Sequence, residues 1–417
     1  MEIKRDLYLN RLIRREKNGL IKIVTGVRRC GKSYLLLNLF HNYLLDKGIQ
    51  ENHIIEVALD DRSNKELRDP DNMLKYVKEQ ITDRDTYYII LDEVQLLAEF
   101  EDVLNSFIHI RNADVYVTGS NSRFLSSNLV TEFRGRGDEI RIHPLSFREY
   151  CSACKGSADE AWDDYCTYGG LPLILSRETP EEKSEYLMSL FQKVYISDIV
   201  DRNKVRNREE MDELVDILAS AVGSLTNPLK LANTFKTVKK KNISDKTLKK
   251  YMDYLTDAFL VSKAARYDIK GRNYIGSPAK FYFEDIGLRN ARLNFRQAEE
   301  NHIMENIIYN ELRIRGYHVD VGIVEQFGKN RENKTTKKQL EVDFVATRGS
   351  EKYYIQSAFA MTTPEKQMQE ERPLNAIGDS FKKIIVVRDN IKVRRNDMGI
   401  VTIGIRNFLL DENSLNL

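Results

Sequence analysis

Lys32 and Ser33 close the stretch GVRRCGKS, which fits G-x-x-x-x-G-K-S, and Asp92 and Glu93 end the apolar run TYYIILDE. Together they suit one chemistry, the handling of a triphosphate. A glycine-rich turn wraps phosphate with backbone N–H groups, and Gly26 and Gly31 permit conformations that a side chain would forbid. Lys32 would reach the β- and γ-phosphates, Ser33 would ligate magnesium with Asp92 in the same shell, and Glu93 would orient and polarise the attacking water. The expected nucleotide contacts are Gly26, Val27, Arg28, Arg29, Cys30, Gly31, Lys32, Ser33 and Tyr34. Two further polar groups are expected to act on the γ-phosphate. Asn121, or its neighbour Ser120, follows the run DVYVTG. Arg134 and Arg136 lie in FRGRGDE, where an arginine either stabilises charge on the transferring phosphate or simply solvates a basic turn.

These groups need a parallel sheet to bring them together. IKIVTG before the glycine turn, IIEVAL, TYYIILD and DVYVTG read as buried strands, and the segments between them read as helices, so residues 21–143 alternate strand and helix. The apolar run LLLNLF after Ser33 makes a helix whose positive end faces the phosphate. In such folds ligands bind at the carboxyl ends of the strands, where Asp92 and Glu93 and the polar groups after DVYVTG stand. Asp60 and Asp61 also end a strand, either beside the magnesium or merely solvated.

The whole chain has 417 residues, enough for two to four domains. Its 65 basic and 63 acidic residues leave a net charge of +2, so any attraction to nucleic acid must come from local clusters. No apolar run is long enough for a membrane span, and MEIKRDLYLN has no export-signal core. With only four cysteines, this points to a reducing cytoplasm. Cys151 and Cys154 form a lone C-x-x-C with only His143 near upstream, short of a zinc ligand set, and read as ordinary thiols.

TGVRRCGKS, IILDEVQ, VTGSNS, GRGDEIRIHPLSFREY, YGGLPLIL, TLKKYMDYLTDAFLV, KFYFEDIGLRNA, MENIIYNELRIRGYHV, EVDFVA and YYIQ, in this order, cover nearly the whole chain. The series resembles a prokaryotic family of AAA-type P-loop ATPases that carry a trailing domain of unknown function. The resemblance implies binding of ATP with Mg2+ and a three-part architecture. It also implies relatives that complete a site with a neighbour's arginine, here Arg134 or Arg136.

After Pro144 the pattern turns helical. EEKSEYLMSLFQKVYISDIV reads as part of a helical lid, with Tyr186, Leu190 and Ile199 near one face. SDKTLKKYMDYLTDAFL is a helix with Ser244 as N-cap and Leu248, Tyr251, Met252, Leu255 and Phe259 at spacings of three and four. With the strand-like segments after it, it reads as a winged helix. Lys246, Lys249 and Lys250 lie off its apolar stripe, to meet DNA phosphates or to solvate a helix used for protein contact.

In the last third, Glu305 on a helix and Asp343 on the first strand of a hairpin fall in the order of a PD-(D/E)XK nuclease core, which this region resembles. That chemistry uses carboxylates on magnesium and a lysine near the attacking water. Gln356 stands where the second strand would carry an acid, and Ala358 where it would carry the lysine; Lys366 on the next helix is a remote substitute. The expectation is a nuclease-like scaffold without cutting activity that retains nucleic-acid or protein binding. The stretch GKNRENKTTKKQ reads as a polar basic loop, disordered or phosphate-binding.

The expected fold class is α/β. A P-loop parallel-sheet ATPase domain (1–147) carries a helical lid (148–205), and a winged-helix domain (206–285) and a C-terminal α/β nuclease-like domain (286–417) follow. The expected function is magnesium-dependent ATP hydrolysis driving a switch on DNA or a protein partner, with self-association into a homo-oligomer and no membrane. The alternatives are an ATP-regulated nuclease and a nucleotide-holding module with little turnover.

Overall fold

A computed structural model describes residues 3–119, 135–296, 299–329 and 335–417. The chain divides into two compact units. The first comprises Met1–Pro144 with the short stretches Leu171–Leu173 and Asp257–Phe259, and the second comprises the remainder.

The first unit is built on a five-stranded sheet of β1 (Ile21–Gly26), β2 (Ile54–Ala58), β3 (Tyr87–Asp92), β4 (Ala113–Gly119) and β5 (Gly137–Ile142), in the order β2-β3-β4-β1-β5. Every pairing is parallel. β1 and β3 are buried along their whole length, as expected of strands covered on both faces. One face packs Ile23, Ile89 and Val117 against the helices Pro70–Gln80 and Phe100–Ile108 through Met73, Val77, Val103 and Phe107. Asp69 caps the first of these helices, accepting from the N–H groups of Asp71 and Asn72, and Pro70 occupies its first turn. The helix after the glycine turn starts at Lys32 and runs through a π turn, Leu35–Phe40, into His41–Asp46.

The second unit begins with helices whose starts are written locally. Ser146 with Glu149, Ser157 with Glu160 and Thr179 with Glu182 each form a reciprocal capping box. The helices Arg208–Ser220, Pro228–Thr237 and Asp245–Asp257 follow. Ser244 Oγ accepts from Thr247 N at 3.0 Å, as its cap position requires, and Leu248, Tyr251, Met252 and Leu255 are buried. Before the second of these helices, Thr226 makes an antiparallel bridge with Ala279.

An eight-stranded sheet completes the unit. Its strands are β6 (Val261–Asp268), β7 (Asn273–Phe283), β8 (His318–Lys329), β9 (Thr335–Arg348), β10 (Glu351–Ala358), β11 (Lys382–Val387), β12 (Arg394–Arg395) and β13 (Val401–Gly404), in the order β12-β13-β11-β10-β9-β8-β6-β7. The hairpin β6–β7 is therefore the edge of the same sheet that holds β9 and β10, joined through the parallel pair β6–β8. The stretch expected to be a polar loop is largely strand: β8 and β9 stay paired as far as Lys329 and Thr335, which leaves residues 330–334 outside the described part. Among the described residues no helix is long and apolar enough to cross a membrane.

Candidate active site

The parallel register carries the C-terminal ends of β1 and β3 to the same edge of the sheet. β1 pairs with β5 so that Gly26 lies beside Ile142. A Cβ on Gly26 would come within 2.2 Å of the Ile142 carbonyl oxygen, so only glycine lets the loop leave the strand there. Gly31 has φ +99°, and the helix starts at the next residue. The Lys32 amine is buried and donates to the Gly26 and Val27 carbonyls at 3.2 Å each, which lays the ammonium along the inside of the loop. Arg28 and Arg29 are exposed, Val27 and Cys30 are buried, and Tyr34 is half-buried on the helix.

Ser33 Oγ donates to Asp92 Oδ1 at 3.0 Å, which brings the two residues expected to share magnesium into direct contact. Asp92 takes a second hydrogen bond from Thr118 Oγ1, and Thr118 Oγ1 itself accepts from Glu93 N at 2.9 Å. One hydroxyl on β4 thus fixes both acids of β3. Burial pushes the Asp92 carboxyl above its usual range; the bonds from Thr118 and Ser33 oppose this, while nearby Glu93 and Asp60 add to it. A buried anion with this surplus of negative charge suits a divalent cation. Ser33 and Asp92 therefore fit a hard, oxygen-ligated metal such as magnesium. Glu93 turns out of the strand with a left-handed backbone, φ 53°, and Gln95 Nε2 donates to its carboxylate. Asp61 instead accepts from Ser63 N at 2.9 Å and caps a short turn.

Not every expected residue joins this edge. Asn121, Ser120 and Arg134 lie outside the described residues. Arg136 sits at the opposite end of the sheet: its carbonyl accepts from Ile21 N at 2.9 Å, at the start of β1. The six-residue strand from Gly137 to Ile142 spans roughly 17 Å, which separates Arg136 from the loop of its own chain.

Arg5 was not singled out from the sequence, yet it holds the loop from behind. The residue is 3% exposed, and its guanidinium donates to the Cys30 carbonyl at 3.0 Å and to the His143 carbonyl at 2.7 Å. It lies over the Tyr8 ring, whose hydroxyl accepts from His143 N at 3.2 Å. Thr118 was likewise missed, although a polar residue after the apolar run of a strand beside the acids is a signal that could have found it.

In the second unit, Glu305 and Asp343 come together, and the lysine beside them is neither residue 358 nor Lys366. Lys280 Nζ lies 2.8 Å from Glu305 Oε1, 2.8 Å from Glu341 Oε1 and 3.5 Å from Asp343 Oδ1. Burial tends to lower the Lys280 ammonium, but the three carboxylates outweigh it and push it up. Burial pushes Asp343 up as well, against the pull of Lys280. Ala358 is buried in the apolar core, and Lys366 pairs with Glu370 at 3.0 Å. Gln356 Nε2 also donates to Glu370, at 3.4 Å, and its carbonyl oxygen accepts from Asp343 N at 3.4 Å.

A family model described as an AAA domain matches residues 18–151. Two models described as domains of unknown function, DUF8612 and DUF4143, match residues 159–299 and 300–408. A protein of Haemophilus influenzae, itself described as uncharacterized, is 33% identical over 390 residues, which is 92% of this chain and 93% of that protein. The uncharacterized protein MJ1544 of Methanocaldococcus jannaschii is 26% identical over 402 residues, 92% of this chain and 84% of its own. Among solved structures, the Aeropyrum pernix ORC1 protein in complex with DNA is 13% identical, covering 70% of this chain and 92% of that one, with a TM-score of 0.31. Cdc6p from Pyrobaculum aerophilum is 14% identical, covering 74% and 96%, with a TM-score of 0.30. Both scores are too low to bear on this chain's partners. Residues 18–151 are an AAA-type ATPase domain, and over nearly its whole length the chain belongs to the family of the Haemophilus influenzae protein.

Proposed function

We propose that this chain hydrolyses ATP with magnesium and uses the cycle to drive a conformational switch on DNA or a protein partner. The observation that carries this reading is the contact of Ser33 with Asp92 at the mouth of the glycine loop, beside the buried Lys32 amine. Magnesium held by Ser33 and Asp92 would neutralise charge on the phosphate oxygens. Lys32 would exchange its two loop carbonyls for β- and γ-phosphate oxygens. Glu93, held by Gln95 and by its own N–H on Thr118, would orient a water and accept its proton. Asn121 is proposed to sense the γ-phosphate. Arg136, remote from its own loop, is proposed to complete the site of a second copy in a homo-oligomer.

For the rest of the chain we keep the division into a core (1–147), a lid (148–205), a winged helix (206–285) and a nuclease-like domain (286–417). The winged helix is supported by its element order: a helix, the bridge at Thr226, two helices, then the hairpin β6–β7 that receives the bridge. Lys246, Lys249 and Lys250 are all exposed on its third helix, as phosphate contacts would require. The nuclease-like domain is supported by the sequence of helix Glu300–Ile314, β8, hairpin β9–β10, helix Pro364–Asn375 and β11 parallel to β10. With Gln356 and Ala358 on its second strand, it is proposed as a binding scaffold that does not cut. Phosphate release with and without duplex, single-stranded and forked DNA tests the reading. Magnesium-dependent release that is lost in Lys32→Ala supports it, and release indifferent to Lys32→Ala contradicts it. Stimulation by one DNA form favours DNA over a protein partner.

A further inference from the structure

Lys280 points its ammonium into three carboxylates that arrive from two elements. Glu305 comes from the helix Glu300–Ile314, while Glu341 and Asp343 stand two apart on β9 and so share a face of the strand. The lysine side chain is 4% exposed. An ammonium has three N–H donors and no acceptor; this one donates to Glu305 and pairs with Glu341 and Asp343. The carboxylates are held in turn. Tyr282, two residues along β7 from Lys280, donates to Glu305 Oε1 at 2.7 Å, and Ser357 N donates to Asp343 Oδ2 at 2.8 Å. A Cβ on Gly223 would already lie 3.2 Å from the Glu305 carboxylate, so the acid has little room to swing away.

We propose that Lys280 is the built-in cation of this site and keeps divalent metal out of it. Three carboxylates around one point, facing a single positive charge, leave an excess of negative charge of the kind that binds magnesium or manganese. Such an ion takes carboxylate oxygens at about 2.1 Å. The same oxygens lie 2.8 Å, 2.8 Å and 3.5 Å from Nζ, so a metal among them would sit nearly on the ammonium, and only one of the two cations fits. Lys280 comes from β7, ahead of the helix and hairpin that carry the acids, and so plugs a site made by later elements. The inference is separate from ATP hydrolysis and stands whatever Glu93 does.

The test is a manganese titration of the nucleotide-free full chain, followed by the electron paramagnetic resonance signal of free Mn2+. The parent should show no site that Glu341→Gln removes. Lys280→Ala should gain one site, tighter than any in the parent by about tenfold or more, and Lys280→Ala with Glu341→Gln should lose it again. Lys280→Met, which keeps the length of the side chain without its charge, replaces Lys280→Ala if that variant does not fold. Three results would overturn the proposal: Mn2+ bound by the parent and released by Glu341→Gln, a folded Lys280 variant that gains no site, or parental DNA cleavage that Lys280→Met abolishes. The last would make Lys280 part of a reaction instead of a plug.

Discussion

Ser33 and Asp92, 59 residues apart, meet at 3.0 Å through Oγ and Oδ1. The helix that follows the loop and the acid-ended strand β3 thus touch directly. The register comes from the sheet: β3 ends at Asp92 beside β4, and Thr118 on β4 reaches across to hold it.

Thr118→Val removes the hydroxyl that ties Asp92 to the Glu93 backbone and keeps the shape of the strand. It leaves a buried carboxylate and a backbone N–H each short of a partner, a loss of about 1–3 kcal/mol. Turnover should fall by roughly tenfold or more, with nucleotide affinity less affected. Phosphate release and fluorescent-nucleotide binding, measured side by side, check the split.

Arg5→Ala should loosen the glycine loop from behind. The Cys30 and His143 carbonyls lose donors that are bidentate and planar, so Arg5→Lys should rescue only part of the effect. ATP should bind roughly tenfold more weakly in Arg5→Ala, by isothermal titration, because the side chain fixes the Cys30 carbonyl of the loop.

Asp285 supplies a pH dependence. Gly170 N donates to its Oδ2 at 2.7 Å and Leu288 N to its Oδ1 at 3.0 Å. Burial nevertheless outweighs these bonds and pushes the carboxyl up to about 6. An unfolded aspartate titrates near 3.9, so between about pH 4 and 6 the folded chain keeps a proton that the unfolded chain has released. Its contribution is therefore full below pH 4 and declines as pH rises through 6, by roughly 2–3 kcal/mol. Asp285→Asn should lower the unfolding midpoint, having one acceptor for two donors, and should flatten the slope between pH 4.5 and 7. An unchanged slope would remove Asp285 as its source.

Arg136→Ala should depress ATP hydrolysis without loss of ATP binding, and parental activity per chain should rise with concentration. Equal specific activity from nanomolar to micromolar chain would assign the site to a single copy.

Much of the first unit was legible because its signals are local. The glycine loop, the helix from Lys32 and the acid-ended strand each lie within one short stretch, and their parallel order follows from strand–helix alternation. Arg5 and Thr118 were not legible in this way. Each acts across a register between distant segments, Arg5 on a loop 25 residues away and Thr118 on an acid 26 residues away. Arg136 illustrates the reverse. A glycine-flanked arginine suggests phosphate, and the hydrogen bond from Ile21 N to its carbonyl places it at the far end of the sheet from the loop of its own chain. In the second unit the acids were visible through their helix and hairpin. The lysine beside them was not, because it comes from β7, 25 residues before Glu305, and reaches them only through the sheet.

Hydrolysis by Glu93 is tested most directly by Glu93→Gln, which keeps the size of the side chain and removes its basicity. The measurement is single-turnover conversion of ATP to ADP with magnesium, alongside equilibrium ATP binding. ATP should bind with parental affinity and remain intact, with turnover down by about 100-fold or more. Conversion at the parental rate by a folded, ATP-bound Glu93→Gln protein would contradict the assignment of Glu93 and the hydrolytic account built on it.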